Sequence, residues 1–259
     1  MTRRIPFEGI ENFRDFGGYD TACGGGLRTG LLYRSGHHSG ATDADLARMA
    51  ELGLSVIVDL RRPTERERFP HRPWPAGAEP VVITSDAQQE HSQEWMDFLH
   101  GSDLSEESFR DYMLNYYRTA PLDPRYLDLY RRYFEALAET EGAILVHCAA
   151  GKDRTGVICA LTHHIAGVHE DDIRADYLAT NDPVRAAARS ESIKAFIREA
   201  TGRTPDDGVI RYIVGVEPEF LDEALSVMRA RHGSIDGYLE AAIGLTPDLR
   251  EKVRARLLG

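Results

Sequence analysis

The chain has 259 residues, 42% of them hydrophobic and 28% charged, a composition typical of a globular protein. Its formal net charge of −11 argues against nucleic acid as a general partner and against a basic membrane-binding surface. No apolar run is long enough for stable membrane insertion, and Pro6, Glu8 and Glu11 interrupt any apolar segment behind Arg3 and Arg4, so a signal peptide is not expected. Three widely spaced Cys favour a reducing compartment. We expect a cytoplasmic protein, although export without a signal peptide is compatible with the sequence.

Four short β-rich runs alternate with helical patterns along most of the chain. The runs cover residues 29–34, 55–60, 80–84 and 143–147. This alternation predicts an α/β fold with a central, mostly parallel sheet flanked by helices. Because a chain of this length can bury one substantial core, we expect a single domain over residues 1–259.

The predicted helices begin with one that Thr42 caps and that ends before Gly53. The polar segment 87–106 is expected to be a mobile excursion. Residues 107–119 and 123–139 follow as helices with a Tyr/Leu stripe, a pattern typical of helices that face a core.

Two further helical stretches, 183–201 and 206–231, are separated by Gly202-Arg203-Thr204-Pro205. This break could be a hinge of a mobile segment or the turn of a helical hairpin packed on the core. Periodicity in the sequence does not distinguish the two.

The most informative segment is residues 147–156, His-Cys-Ala-Ala-Gly-Lys-Asp-Arg-Thr-Gly. It lies between the strand predicted at 143–147 and a helical run at 156–165. Such a loop directs backbone N–H groups and the positive end of the helix at one point, which suits an oxyanion. Cys148 at the mouth of the loop is expected to be a thiolate at neutral pH, and therefore a nucleophile directed at phosphorus.

This segment resembles the signature loop of cysteine-dependent protein tyrosine phosphatases. The Lys-Asp pair before Arg154 is similar to that of the bacterial tyrosine phosphatase B branch, and so are the sequences NFRDFGGY at 12–19, LYRSG at 32–36 and VDLR at 58–61. The resemblance implies a phosphatase that hydrolyses phosphotyrosine, in a branch that also acts on phosphoserine, phosphothreonine and phosphoinositides. It also implies that helices at about residues 183–231 form a lid over the active site.

The loop residues divide the expected chemistry among them. Cys148 would form a cysteinyl-phosphate intermediate that water later attacks. Arg154 offers a planar fork of donors for two phosphate oxygens, a geometry that Lys does not match. The small residues Ala149, Ala150 and Gly151 allow backbone N–H groups to approach the phosphate closely.

Three other loop residues have predicted roles. Lys152 would add charge for a multiply phosphorylated ligand, with a solvated cation as the alternative. Thr155 would either donate its hydroxyl to the thiolate or cap the helix. His147 is expected to orient the loop from beneath and not to act as a base.

The general acid stays open between three Asp residues. Ala76 follows Trp74-Pro75, so the Trp-Pro-Asp motif of many tyrosine phosphatases is absent there. Asp153 is favoured, because the resemblance implies a catalytic part for the loop Asp. The alternatives are Asp59, at the end of a predicted strand, and Asp86, after the next one.

Two sets of residues are expected to support the loop. The first is Asn12, Arg14 and Asp15, and the second, an ion network, is Asp59, Arg61 and Glu65.

The His residues, including His37-His38 and His163-His164, lack the spacing of metal ligands, so neither a metal nor another cofactor is expected. Cys23 and Cys159 should be dispensable.

The two alternatives to a phosphatase are a rhodanese-like sulfurtransferase and a phospho-binding module without turnover. Arg154-Thr155 at the helix start argues against the first, and the complete loop argues against the second.

Overall fold

The computed structural model describes residues 3–22, 24–77, 79–87 and 92–259. Cys23 lies outside the described residues, so its predicted dispensability has no structural counterpart here. The strands are β1 Arg14–Asp15, β2 Asp20–Thr21, β3 Gly25–Gly26, β4 Leu32–Ser35, β5 Leu54–Asp59, β6 Val81–Ile83 and β7 Ala143–His147.

The central sheet has the strand order β1-β4-β7-β5-β6. Strands β4, β7, β5 and β6 are parallel, and only β1 is antiparallel to its neighbour. The predicted mostly parallel sheet is therefore confirmed. In this register His147 lies between Ser35 and Asp59, so the carboxyl ends of three strands meet at one edge. Active sites of α/β sheets form at that edge.

Helices cover both faces of the sheet. They are α1 Asp43–Glu51, α2 Pro63–Arg68, α3 Ser92–Gly101, α4 Glu106–Thr119, α5 Pro124–Glu139, α6 Asp153–Ala166, α7 Glu170–Leu178, α8 Pro183–Thr201, α9 Asp207–Val214, α10 Pro218–His232, α11 Ile235–Tyr238 and α12 Pro247–Leu257. Thr42 caps α1 as predicted, since its hydroxyl accepts from the backbone N–H of Asp45.

Alternate residues of β5 enter two separate cores. Val56 and Val58 belong to the larger core, which includes residues of α4, α5, α6 and α10. Ile57 points to a smaller core with Met49 of α1. This alternation follows from the two-residue period of a strand buried on both faces.

Two predictions about helices need correction. The segment 87–106, expected to be a mobile excursion, contains α3, because Trp95 and Phe98 pack against Phe109 of α4. The stretch 206–231 is two helices, because Asn181 binds the backbone of Val216 and ends α9 before α10 begins. Among the described residues, no helix has the length and apolarity that a membrane span requires.

Candidate active site

Residues 148–152 form the loop that connects β7 to the first turn of α6. Cys148, the first residue of this loop, is only 1% exposed. Gly151 has a φ of +66°, and a Cβ built there would lie 2.3 Å from the Ser35 carbonyl. Its own carbonyl accepts hydrogen bonds from Asn12 Nδ2 at 2.7 Å and from Arg34 Nη2 at 3.0 Å. Because these donors hold loop carbonyls on the outside, the neighbouring N–H groups are left to face an anion on the inside.

A buried ion cluster supports these donors. Asp176 of α7 accepts from Arg14 Nε at 3.1 Å and from Arg34 Nη1 at 2.6 Å. Arg14 also donates to Asn12 Oδ1 at 2.5 Å, so one chain of contacts links Asp176 to the carbonyl of Gly151. Burial alone would raise the pKa of Asp176, but the two guanidinium groups outweigh it and lower that pKa.

The prediction for the first support set is correct for two of its members. Asn12 contacts the loop directly, and Arg14 does so through Asn12. Asp15 instead accepts from the backbone N–H groups of Gly17 and Gly30, so it shapes a turn away from the loop.

Arg154 is held by the carboxylate of Glu65 in α2. Glu65 Oε2 lies 2.5 Å from Nη1 and Oε1 lies 2.8 Å from Nη2, and the Leu60 carbonyl accepts from Nη1 at 3.2 Å. These bonds use three of the five N–H donors of a guanidinium. Within the described part of the chain, the Nε–H and one Nη2–H are left, and these two lie on one side of the group. That side can bind two oxygens of a phosphate.

Asp153 lies at the wall of the cavity next to Cys148. Its Oδ1 accepts from the Tyr117 hydroxyl at 2.8 Å, and that hydroxyl lies 2.7 Å from the hydroxyl of Tyr177. Burial raises the pKa of Tyr117 well above its usual value, so this phenol stays a donor. The structure thus brings the favoured acid candidate and the nucleophile to one cavity.

Asp59 is placed otherwise. It is 1% exposed, and both of its oxygens accept from Arg61, at distances of 2.8–3.2 Å. Burial opposes ionisation, but the neighbouring His147 and the bonds from Arg61 together outweigh it and hold the pKa of Asp59 below its usual range. The predicted ion network is therefore two separate pairs, Asp59 with Arg61 and Glu65 with Arg154.

Asp86 does not line the cavity. Its side chain is 88% exposed and forms an ion pair with Arg66 of α2. Asp153 therefore lines the cavity beside Cys148, whereas the alternative acids Asp59 and Asp86 do not.

The cavity beside Cys148 has a volume of about 300 Å³. Its floor is formed by the loop residues, and its walls come from α3, α4 and α9 and the segment before α2. The lining residues outside the loop are Arg62, Trp95, Phe109, Tyr112, Met113, Tyr116 and Ile213. An anionic end and mostly aromatic walls suit a phosphate carried on a ring.

Lys152 is buried, so the alternative of a solvated loop cation is wrong. Its ammonium donates to the carbonyls of Tyr212 at 3.2 Å and Gly215 at 2.9 Å, and lies 3.6 Å from Asp153 Oδ1. Burial lowers the pKa of Lys152. The side chain ties the loop to the end of α9.

Helices α8 and α9 lie against the same loop. Arg185 of α8 donates to the Val214 carbonyl at 2.8 Å and to the Ala150 carbonyl at 3.5 Å, while Ile213 forms part of the cavity wall. Helix α9 thus contributes to the cavity wall, and α8 contacts the loop.

Thr155 and Cys159 occupy the buried start and middle of α6. Thr155 Oγ1 has no hydrogen-bond partner among the described residues, so the predicted helix cap is not formed. Cys159 lies in the core as expected, and burial raises the pKa of its thiol to about 12.

Sequence reasoning missed two features of the site. The contact of Tyr117 with Asp153 was not foreseen, because a Tyr/Leu stripe looks the same whether its hydroxyls face a core or a site. Three His residues, His38, His71 and His147, gather beneath the loop from separate segments. Spacing along the chain gives no signal for such a group.

A parallel sheet with a Cys and an Arg in one anion-binding loop at its carboxyl edge defines a cysteine-dependent phosphatase. The sequence model of the tyrosine phosphatase family matches residues 5–259. The chain belongs to the tyrosine phosphatase family, so the predicted resemblance is confirmed and the sulfurtransferase alternative is not supported.

Three relatives are similar over most of the chain. A protein of Cupriavidus necator, named as a candidate tyrosine-protein phosphatase, is 34% identical over 247 residues, which cover 92% of this chain and 84% of the relative. The triple specificity protein phosphatase PtpB of Mycobacterium tuberculosis is 33% identical, with 99% of each chain covered. A tyrosine-protein phosphatase of Nostoc commune is 26% identical, with 83% of this chain and 70% of the relative covered.

Proposed function

We propose that this phosphatase hydrolyses phosphotyrosine through a cysteinyl-phosphate, with Cys148 as nucleophile, Arg154 as phosphate ligand and Asp153 as general acid. The main support is the free side of the Arg154 guanidinium, where two parallel donors remain without a partner among the described residues. Arg154 lines the same cavity as the buried Cys148. Such a pair of donors can hold the equatorial oxygens of a phosphoryl group during transfer.

The reaction has two steps. In the first, the Cys148 thiolate attacks phosphorus, the bond from phosphorus to the tyrosine oxygen breaks, and Asp153 gives its proton to that oxygen. In the second, water attacks phosphorus, the sulfur–phosphorus bond breaks, and Asp153 takes a proton from the water. Backbone N–H groups of Ala149, Ala150 and Gly151 stabilise the oxygens throughout. The unpartnered Thr155 hydroxyl supports a role in stabilising the departing thiolate.

The substrate range forms a second part of the proposal. The aromatic walls support a preference for phosphotyrosine, while the cavity volume of about 300 Å³ supports activity on phosphoserine, phosphothreonine and phosphoinositides as well. The printed name of the triple-specificity relative supports the same range. Lys152 would act on the substrate through its contact with the loop and through its charge. We propose that the enzyme acts on its phosphorylated protein substrates in the cytoplasm.

The region 183–231 is proposed as a lid within a single domain over residues 1–259. The contacts of Lys152 and Arg185 with the end of α9 support this, because they connect the cover to the loop.

Trapping of the phosphoenzyme tests the mechanism. The parent chain, quenched in acid during turnover of a ³²P-labelled phosphotyrosine peptide, should carry label on Cys148, and Cys148→Ser should neither turn over nor carry label. Cys159→Ser is the matched control and should behave as the parent. Label on another residue, or retained turnover in Cys148→Ser, would contradict the proposal. Rates on phosphotyrosine, phosphothreonine and phosphoinositide substrates then test the range.

A further inference from the structure

Three imidazoles lie together beneath the catalytic loop. His38 follows β4, His71 follows α2, and His147 is the last residue of β7. One potential ligand nitrogen from each lies within 4.8 Å of the others, and the ring centroids are 4.5–4.9 Å apart. His38 and His147 are buried, and the side chain of His71 is 19% exposed.

The hydrogen bonds of two rings fix where their lone pairs point. His147 Nδ1 lies 3.3 Å from the carbonyl oxygen of Cys148, and because a carbonyl only accepts, Nδ1 carries the hydrogen. Nε2 of His147 therefore carries a lone pair. In His71, Nε2 faces Arg61 Nη2 at 2.7 Å, and because a guanidinium only donates, this nitrogen also carries a lone pair.

The nitrogen of His147 that carries this lone pair lacks a partner. His147 Nε2 is buried and has no hydrogen-bond partner among the described residues. It lies 3.6 Å from Asp59 Oδ1, and His71 Nε2 lies 3.8 Å from Asp59 Oδ2. A buried polar atom without a partner costs free energy and calls for an explanation such as an ion.

We propose that His38, His71 and His147 bind a divalent transition-metal ion, Zn²⁺ in the first place, with Asp59 as the nearby carboxylate that balances its charge. Neutral imidazoles are the preferred ligands of such ions, and three of them leave a fourth position for water or a carboxylate oxygen. The contact of His147 Nδ1 with a carbonyl is the outer contact that usually orients a metal-binding imidazole.

Arg61 limits the affinity of the three His residues for the metal ion. Its guanidinium bonds to Asp59 and to His71 Nε2, so the ion must displace one of these bonds when it binds. We therefore expect reversible binding and not a permanently filled structural site.

The ion would have no part in phosphoryl transfer. None of the three His residues lines the cavity beside Cys148. A bound ion would instead cross-link the ends of β4 and β7 and the segment after α2, and so stabilise the support of the loop.

Titration with Co²⁺ tests this site. The Cys148→Ser chain is used, because it removes the catalytic thiol as a competing ligand. We expect one Co²⁺ per chain, seen as visible d–d absorption, displaced by Zn²⁺, together with a rise in the thermal midpoint. His71→Gln in that background should weaken binding at least about tenfold.

The control is His164→Gln in the same background, which replaces a half-exposed His on α6 that pairs with Asp236. It should bind Co²⁺ as the background does. Circular dichroism establishes that each variant is folded. No Co²⁺ absorption in the folded background, or equal affinity in His71→Gln, would overturn the metal site. Hydrolysis by the metal-free parent is a separate readout, so this outcome would leave the proposed phosphatase mechanism standing.

Discussion

The carboxylate of Glu65 faces Nη1 and Nη2 of Arg154 at 2.5 and 2.8 Å, and so fixes which side of the guanidinium faces the cavity. Glu65 belongs to the first turn of α2, where its Oε2 also accepts from the backbone N–H of Arg62 at 2.8 Å. The short helix α2 thereby sets the orientation of a phosphate ligand on α6.

Glu65→Gln should lower kcat/KM about 10- to 100-fold, because Arg154 loses the charged partner that fixes its orientation. The measurement is steady-state hydrolysis of p-nitrophenyl phosphate. Glu67→Gln, an exposed change in the same helix, is the control and should keep parental kinetics. Equal kinetics for the two variants would rule out this role for Glu65.

The same pair should make stability depend on pH. Burial opposes ionisation of Glu65, but Arg154 outweighs it and lowers the pKa of Glu65 from 4.5 to about 2. Since the unfolded chain then binds the proton more readily, the pair stabilises the fold fully above about pH 5, and this is lost as the pH falls toward 2. Its size is at most about 3 kcal/mol.

Urea unfolding at several pH values measures this term. The difference in unfolding free energy between the parent and Glu65→Gln should shrink as the pH falls from 6 to about 3. The difference for Glu67→Gln should stay small across the range. A constant difference for Glu65→Gln would mean that its charge is not the source of the stabilisation.

Asp153→Asn should lower kcat about 100- to 1,000-fold on phenyl phosphate and much less on p-nitrophenyl phosphate, whose leaving group needs less protonation. The basic limb of its pH–rate profile should disappear. Asp86→Asn should have parental kinetics, because Asp86 is exposed and paired with Arg66.

Asp59→Asn separates the remaining alternative. It should lower the stability of the fold, because it removes the buried partner of Arg61. A loss of the basic limb in Asp59→Asn, with that limb intact in Asp153→Asn, would assign the acid to Asp59.

Lys152→Met should loosen the contact between the loop and α9, because the carbonyls of Tyr212 and Gly215 lose their donor at a cost of about 1–3 kcal/mol. Hydrogen exchange of residues 207–215 is the readout, and it should become faster. Lys194→Met is the control, since its ammonium pairs with exposed carboxylates of Glu191 and Asp207 in the same region. Unchanged exchange in Lys152→Met would contradict the proposed link.

Gly151→Ala should abolish activity, because its Cβ would meet the Ser35 carbonyl at 2.3 Å. Gly202→Ala separates this clash from backbone strain. Gly202 has a similar φ of +71° with open space around it, so the change should cost only about 1 kcal/mol of unfolding free energy. Equal effects of the two changes would refute the close approach.

The sequence predicted the parallel sheet and the loop because both depend on neighbours along the chain. A buried β-rich run before His147 and a helical run after Gly156 are local signals, and the Cys148–Arg154 spacing lies within one loop. The cap at Thr42 is equally local. The sequence could not predict that the expected network of Asp59, Arg61 and Glu65 is two separate ion pairs. Glu65 is only four residues from Arg61, yet it binds Arg154, 89 positions away.

The same limit applies to the His cluster and to Lys152. His38, His71 and His147 meet only because β4, β7 and the segment after α2 end at one edge of the sheet. Lys152 could be predicted as a cation of the loop, but its burial depends on the end of α9, more than fifty residues further along. Such contacts are fixed by packing and not by periodicity.

The ammonium of Lys152 rests between two carbonyls that both belong to the end of α9. If α9 moved away from the loop, the Lys152 ammonium would be exposed to solvent and would attract an incoming phosphate. When α9 returned, its carbonyls would again offset part of that positive charge. The open arrangement would therefore favour binding of the substrate, and the closed arrangement would hold the product phosphate less tightly.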